Sequence, residues 1–130
     1  MIALIVEQRC NACNLCVEVC PANVFEKAQV GPPTIARQID CTTCFMCELY
    51  CRQDALYVAP DCESPTQVDA EAVLASGQLG RYRRDSGWDE WRGLYPNEQY
   101  LMERVFRRAR AGDAADERPF PPVADPARAG

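Results

Sequence analysis

The run C-x2-C-x2-C-x3-C occurs twice in this chain, as Cys10, Cys13, Cys16, Cys20 and again as Cys41, Cys44, Cys47, Cys51, with every position displaced by 31 residues. An ordinary apolar core has no use for thiols at that density. A chain that crowds them must fold around something they hold. The two copies also align outside the cysteines: Leu4 with Ile35, Asn23 with Asp54, Phe25 with Leu56. Each half reads as a short strand, a cysteine loop, one or two helical turns and a second short strand. "IALIV" and "TIARQI" are the leading strands by their β-branched content, and "NVFEKA" and "ALYVA" the trailing ones. Gly31 and the two prolines after it mark a turn between the halves. Neither half is large enough to bury a core alone. Two halves packed around bulky inorganic centres are, and small scaffolds commonly need such a staple.

The spacing says what kind of centre. A 4Fe-4S cubane needs one thiolate on each iron, and three cysteines at x2 spacing let a tight loop wrap one face of it. The fourth cysteine of each run begins a helical turn and points away. It is out of position for the same cubane but in reach of a second one. Cys10, Cys13, Cys16 and Cys51 are therefore expected to hold one cluster, and Cys20, Cys41, Cys44 and Cys47 the other. Structural zinc favours C-x2-C pairs separated by a longer gap, which this pattern is not. Histidine is absent, which removes Rieske-type clusters, Cys2His2 zinc and histidine acid–base chemistry.

These motifs resemble those of bacterial-type ferredoxins with two 4Fe-4S clusters, over residues 1–60. The resemblance implies an α+β fold, a ferredoxin-like pseudo-twofold two-cluster domain, with one-electron transfer at low potential as its activity. One departure from the pattern stands at Arg52. The first motif has Cys20-Pro21, whereas the second has Cys51-Arg52. Pro21 and Arg52 are thus candidates for tuning the clusters. A cation at Arg52 would favour the reduced state of the cluster held by Cys51, unless the side chain simply points to water. Cys62, the ninth cysteine, has no place in either motif and reads as a small buried apolar residue.

The chain continues well past what two clusters need. "SPTQVDAEAVLASG" reads as a short helix capped by Ser64 or Thr66, with Val73 and Leu74 facing inward and Gly77 ending it. The following "GQLGRYRRDSGWDEWRGLYP" shows no clear period. "NEQYLMERVFRRARAG" is the best helix candidate, with Leu101 and Val105 at i, i+4, Met102 and Phe106 parallel to them, arginines near its end and Gly112 at the stop. The expected division is a cluster domain over 1–62, a partly helical arm over 63–112 and a Pro/Ala-rich tail over 113–130.

From Arg81 to Arg110 there are eight arginines against five acids, although the whole chain carries −5. Tyr82, Arg83, Trp88, Trp91, Tyr95, Tyr100 and Phe106 are the residue types that dominate binding hot spots, so the arm is expected to dock on a larger subunit. Folding back over the cluster domain is the competing reading, because a core of about 60 residues leaves apolar surface to cover. The layout resembles small iron–sulfur subunits of flavoenzymes, such as the β subunit of adenylylsulfate reductase. That resemblance implies a hetero-oligomer with a larger, FAD-containing catalytic subunit. A free-standing ferredoxin serving several enzymes, or a structural or sensing cluster protein, would fit the same cysteines. The acidic balance argues against nucleic acid. No apolar run nears the roughly 18 residues of a membrane helix. "MIALIV" lacks a basic flank and the length of a secretion signal. Reduced, metal-binding thiols then point to the cytoplasm.

Overall fold

The structure, a computed structural model, describes residues 1–95 and 97–111. Two compact units divide the chain, Met1–Pro96 and a second that begins at Asn97. In the first unit, β1 (Ile2–Ile5) leads through the first cysteine loop to α1 (Leu15–Val19) and β2 (Phe25–Glu26). Then β3 (Thr34–Ile35), a 3-10 turn at Gln38–Asp40, the second cysteine loop, α2 (Met46–Tyr50) and β4 (Leu56–Val58) follow. All four strands fall within the segments read as strands, though β2 and β3 are only two residues long.

Both sheets are antiparallel and built across the repeat. β1 pairs with β4 (Ile2 opposite Val58, Ile5 opposite Leu56) with one irregularity, and β2 pairs with β3 (Phe25 opposite Ile35). α1 packs against α2. Each half therefore supplies one strand to each sheet, which is why neither could stand alone. Ile2 and Val24 are fully enclosed, with Phe25, Leu49, Leu56 and Val58 buried around them. Backbone conformation repeats at the same 31-residue offset. Ala12, Asn14 and Asn23 have φ of 58°, 58° and 54°, and Thr43, Phe45 and Asp54 have 56°, 62° and 51°.

The boundary expected near Asp61 is not where the packing ends. Residues 63–95 fold back on the first sixty within one unit. In α3 (Ala70–Ser76), Val73 joins Val6 and Leu79 in a buried cluster against Leu4, Tyr57 and Val68. That cluster covers apolar surface the two small sheets leave bare. Leu74 stays outside it and is 40% exposed, because only one side of so short a helix meets the core. The cap is Asp69, whose carboxylate accepts from the Glu71 N–H, rather than Ser64 or Thr66. Gly77 ends the helix in the left-handed region at φ 73°, as expected.

α4 (Arg81–Asp85) lies in the stretch that showed no period; five residues are too few to display one. It packs on α2. Tyr82 lies over Phe45 with ring centroids 4.5 Å apart, and Trp88 meets Tyr50 edge-on at 5.2 Å. Arg83 donates to the Asp54 carboxylate from Nε at 3.2 Å and Nη2 at 2.9 Å, and also to Asp89.

In the second unit a 3-10 turn, Gln99–Leu101, runs into α5 (Met102–Ala111). Met102 and Phe106 are exposed on it, and Arg107 pairs with Glu103 at 2.9 Å across one turn. The expectations for Gly112, the tail over 113–130 and the Val105 side chain lie outside the described residues.

Candidate iron–sulfur centres

Each cysteine loop turns through two left-handed residues, Ala12 and Asn14 in the first, Thr43 and Phe45 in the second. These conformations curl the backbone so that N–H groups point inward at sulfur. The Ala12 N–H donates to Cys10 Sγ at 3.4 Å, and that of Thr43 to Cys41 Sγ at 3.4 Å. The fourth cysteines are served alike, Cys20 by the Val24 N–H at 3.5 Å and Cys51 by the Ala55 N–H at 3.4 Å. Cys41 Sγ also accepts from the Ile2 N–H at 3.2 Å. Donors aimed at sulfur place partial positive charge beside it, which suits a sulfur that bears negative charge.

The eight motif cysteines separate into two groups around two open cavities. Cys10, Cys13, Cys16 and Cys51 border one, with a space of about 360 Å³ that includes its mouth to solvent. Cys20, Cys41, Cys44 and Cys47 border the other, at about 320 Å³. Each fourth cysteine thus stands at the cavity of the opposite loop. The electrostatics largely follows this grouping. Burial pushes the Cys16 thiol up to about 12, with charges on Cys51, Cys13 and Cys10 adding to it. Burial also raises Cys47 well above the usual thiol range, followed by Cys44, Cys16, Cys41 and Cys20. Cys51 is raised first by burial and then by Cys13 and Cys10. Cys47 also feels Cys16 of the other group, and α1, which carries Cys16, packs against α2, which carries Cys47.

Crowded, half-buried thiolates repel unless a cation compensates them, and they suit a group larger than one ion. Residues 9–56 match the family model described as a 4Fe-4S dicluster domain. This segment is a ferredoxin-type iron–sulfur domain. Its cofactors are two 4Fe-4S clusters. No curated protein and no solved structure matches the chain.

The other candidate residues of the iron–sulfur domain fall out differently. Pro21 is exposed and borders the second cavity. Arg52 is exposed, and Gln53 rather than Arg52 borders the first. The Arg52 side chain is open to water, as the alternative reading had it. Cys62 is exposed, not buried, because Asp61–Ser64 form a surface turn knitted by the Asp61 carboxylate. Among the docking candidates, Arg83 and Trp88 are engaged with Asp54 and Tyr50 of the same chain, and Tyr82 with Phe45. Trp91 and Tyr100 are half-buried, Tyr95 is 36% exposed and Phe106 55%.

Glu48 carries no signal in the sequence that marks it as special. It lies on α2 beside Cys47, 3% exposed, and accepts from the Val58 N–H at 3.3 Å and from the Tyr82 N–H. Burial, with the Asp54 charge adding, pushes its carboxyl up from 4.5 to about 7. The folded state then binds a proton the unfolded state releases. Glu48's contribution to stability is then full below pH 4.5 and is lost as the pH rises to about 7, by up to about 3 kcal/mol. Denaturant unfolding between pH 5 and 8 is expected to show this slope, and Glu48→Gln to flatten it. An unchanged slope in the variant would place the titration elsewhere.

Proposed function

We propose that this chain is the electron-transfer iron–sulfur subunit of an oxidoreductase complex. In this reading it passes single electrons to or from a larger, flavin-containing catalytic subunit. The carrying observation is the pair of four-cysteine cavities, brought together where α1, carrying Cys16, packs against α2, carrying Cys47. A bound 4Fe-4S cluster supplies reversible one-electron chemistry. The chain's part is to hold each group by four sulfurs, aim N–H donors at them and keep the two within a short step of each other. The fold we propose is the ferredoxin-like pseudo-twofold arrangement. The repeated φ values and the strand pairing across the repeat support it.

The partner assignment rests on the sequence beyond the compact unit and on the layout shared with small subunits of flavoenzymes such as the adenylylsulfate reductase β subunit. In the second unit, α5 carries exposed Met102 and Phe106 alongside Arg104 and Arg107, the mix of types found at docking surfaces. A cytoplasmic location belongs to the same proposal. No helix among the described residues is long and apolar enough to cross a membrane. One observation favours the free-standing carrier instead: residues 63–95 spend Tyr82, Arg83 and Trp88 on this chain's own core.

Truncation after Tyr95 separates the two. The full chain is expected to co-purify with a larger yellow protein at fixed stoichiometry. The truncated chain should keep both clusters, judged by iron content and visible absorption, and lose that protein. A full chain that purifies as a monomer and reduces varied acceptors at similar rates would make it the free-standing carrier.

A further inference from the structure

The two halves superimpose in sequence, yet the residues bordering their cavities are not equivalent. Asn14 and Phe45 occupy the same place in the repeat, at the left-handed residue just before α1 and α2. Each borders its own cavity. Asn14 turns its amide back into its own loop; its Nδ2 donates to the Ala12 carbonyl at 3.2 Å, and its buried Oδ1 has no protein partner. Phe45 puts a phenyl ring at its cavity, and Tyr82 from α4 lies over that ring at 4.5 Å. Thr43, the other change of polarity in the second loop, does not border the cavity.

Tyr82 is held in place from several sides. Its N–H donates to buried Glu48. The neighbouring Arg83 grips Asp54 and Asp89. Gly80, which opens α4, sits so close to Asp54 that a Cβ would meet its carboxyl group at 2.2 Å. The extension thus lays one aromatic side chain over Phe45, which borders one cluster site, and fixes it there.

We propose that Phe45 and Tyr82 form an aromatic cover that makes the two clusters unequal, holding the second-loop cluster at the lower potential. Reduction adds negative charge to a cluster, and water and dipoles stabilise that charge. Apolar cover removes them, and the hydrophobic shell of such a site sets its local dielectric and so its potential. The first site has Asn14, not a ring, at the same place and so lacks that cover. A shared electron is thereby biased towards the Cys10, Cys13, Cys16, Cys51 group. The extension's role on this account is to set the direction of relay within the chain. Phe45 and Tyr82 are positioning residues that touch no iron.

The inference rests on both cavities being loaded, which iron and sulfide analysis of the same sample reports separately. Full-length protein reconstituted without oxygen is titrated electrochemically, with reduced clusters followed by electron paramagnetic resonance. Cys13→Ser and Cys44→Ser assign each signal to its loop. Two separable midpoints are expected, the lower belonging to the second loop. Phe45→Asn copies the first-half residue and suits the left-handed backbone better than phenylalanine, so the fold persists. It should raise the lower midpoint and leave the upper one in place; Tyr82→Ala should move it the same way, by less. Coincident midpoints in the unaltered protein would overturn the proposal. So would a Phe45→Asn variant that shifts neither cluster or both alike. Iron for fewer than two clusters would instead overturn the cofactor assignment, and this proposal with it.

Discussion

Replacing Cys51 with alanine is expected to empty the first cavity and spare the second, although Cys51 belongs to the second motif. Cys51 stands with Cys10, Cys13 and Cys16, and the nearest charges raising its thiol are Cys13 and Cys10. Loss of one of four sulfurs leaves an iron without its protein ligand. Bound iron should fall from about eight per chain to about four. The reciprocal variant, Cys20→Ala, should empty the second cavity by the same logic. Because metal-binding free energy is folding free energy in small metal-stapled domains, both variants should also unfold more easily. Iron analysis combined with electron paramagnetic resonance of the remaining cluster checks the assignment. If Cys51→Ala removed the signal that Cys44→Ser perturbs, the crossed ligation would be wrong.

Gly80→Ala should be the most damaging change outside the cysteines, at about 2–4 kcal/mol. Two causes add. Gly80 has φ of 75°, where an L side chain is strained by about 1 kcal/mol. The new Cβ would also stand 2.2–2.5 Å from the carboxyl atoms of Asp54. That carboxylate cannot swing aside cheaply, because it is largely enclosed and paired with Arg83 at 2.9 Å and Arg84 at 3.7 Å. Moving it leaves Arg83, only 12% exposed at its side chain, without half of its acid partners. Urea unfolding of the iron-loaded protein measures the loss. A cost under about 1 kcal/mol would mean that the extension adjusts without strain. Gly77→Ala is the useful contrast: its φ is 73°, but nothing stands within 4 Å of its Cβ position, so only the backbone strain should appear.

Gly80 and Gly77 together show where sequence reading stops. Both are glycines near helix ends, and only Gly77 has a role legible in the sequence. Its signal is local, since it closes an amphipathic run. Gly80 is required by the Asp54 carboxylate, far earlier in the chain, and nothing nearby announces that. Glu48 is similar. A glutamate between Cys47 and Leu49 reads as a solvated position, yet N–H groups from β4 and α4 converge on it. Tyr82 and Trp88 are legible as binding residues by type. That they bind their own core depends on Phe45 and Tyr50, which present rings at the two ends of α2 only once it is folded.

The amino-acid sequence by itself determined the two clusters, and its expected grouping of eight cysteines matches the groups that border the two cavities. Metal ligation constrains residue type and spacing so tightly that the pattern can be read without coordinates. Strand identity followed from local β-branched content, and the doubled architecture from the 31-residue offset. Only the tertiary structure decided that residues 63–95 belong to the same compact unit. It also decided that Cys62 and Arg52 are exposed and that Tyr82 lies over Phe45. Those outcomes turn on contacts between residues tens of positions apart, where apolar surface left by one segment is covered by another. Local pattern carries no record of such pairings, because they are selected by shape and charge in three dimensions.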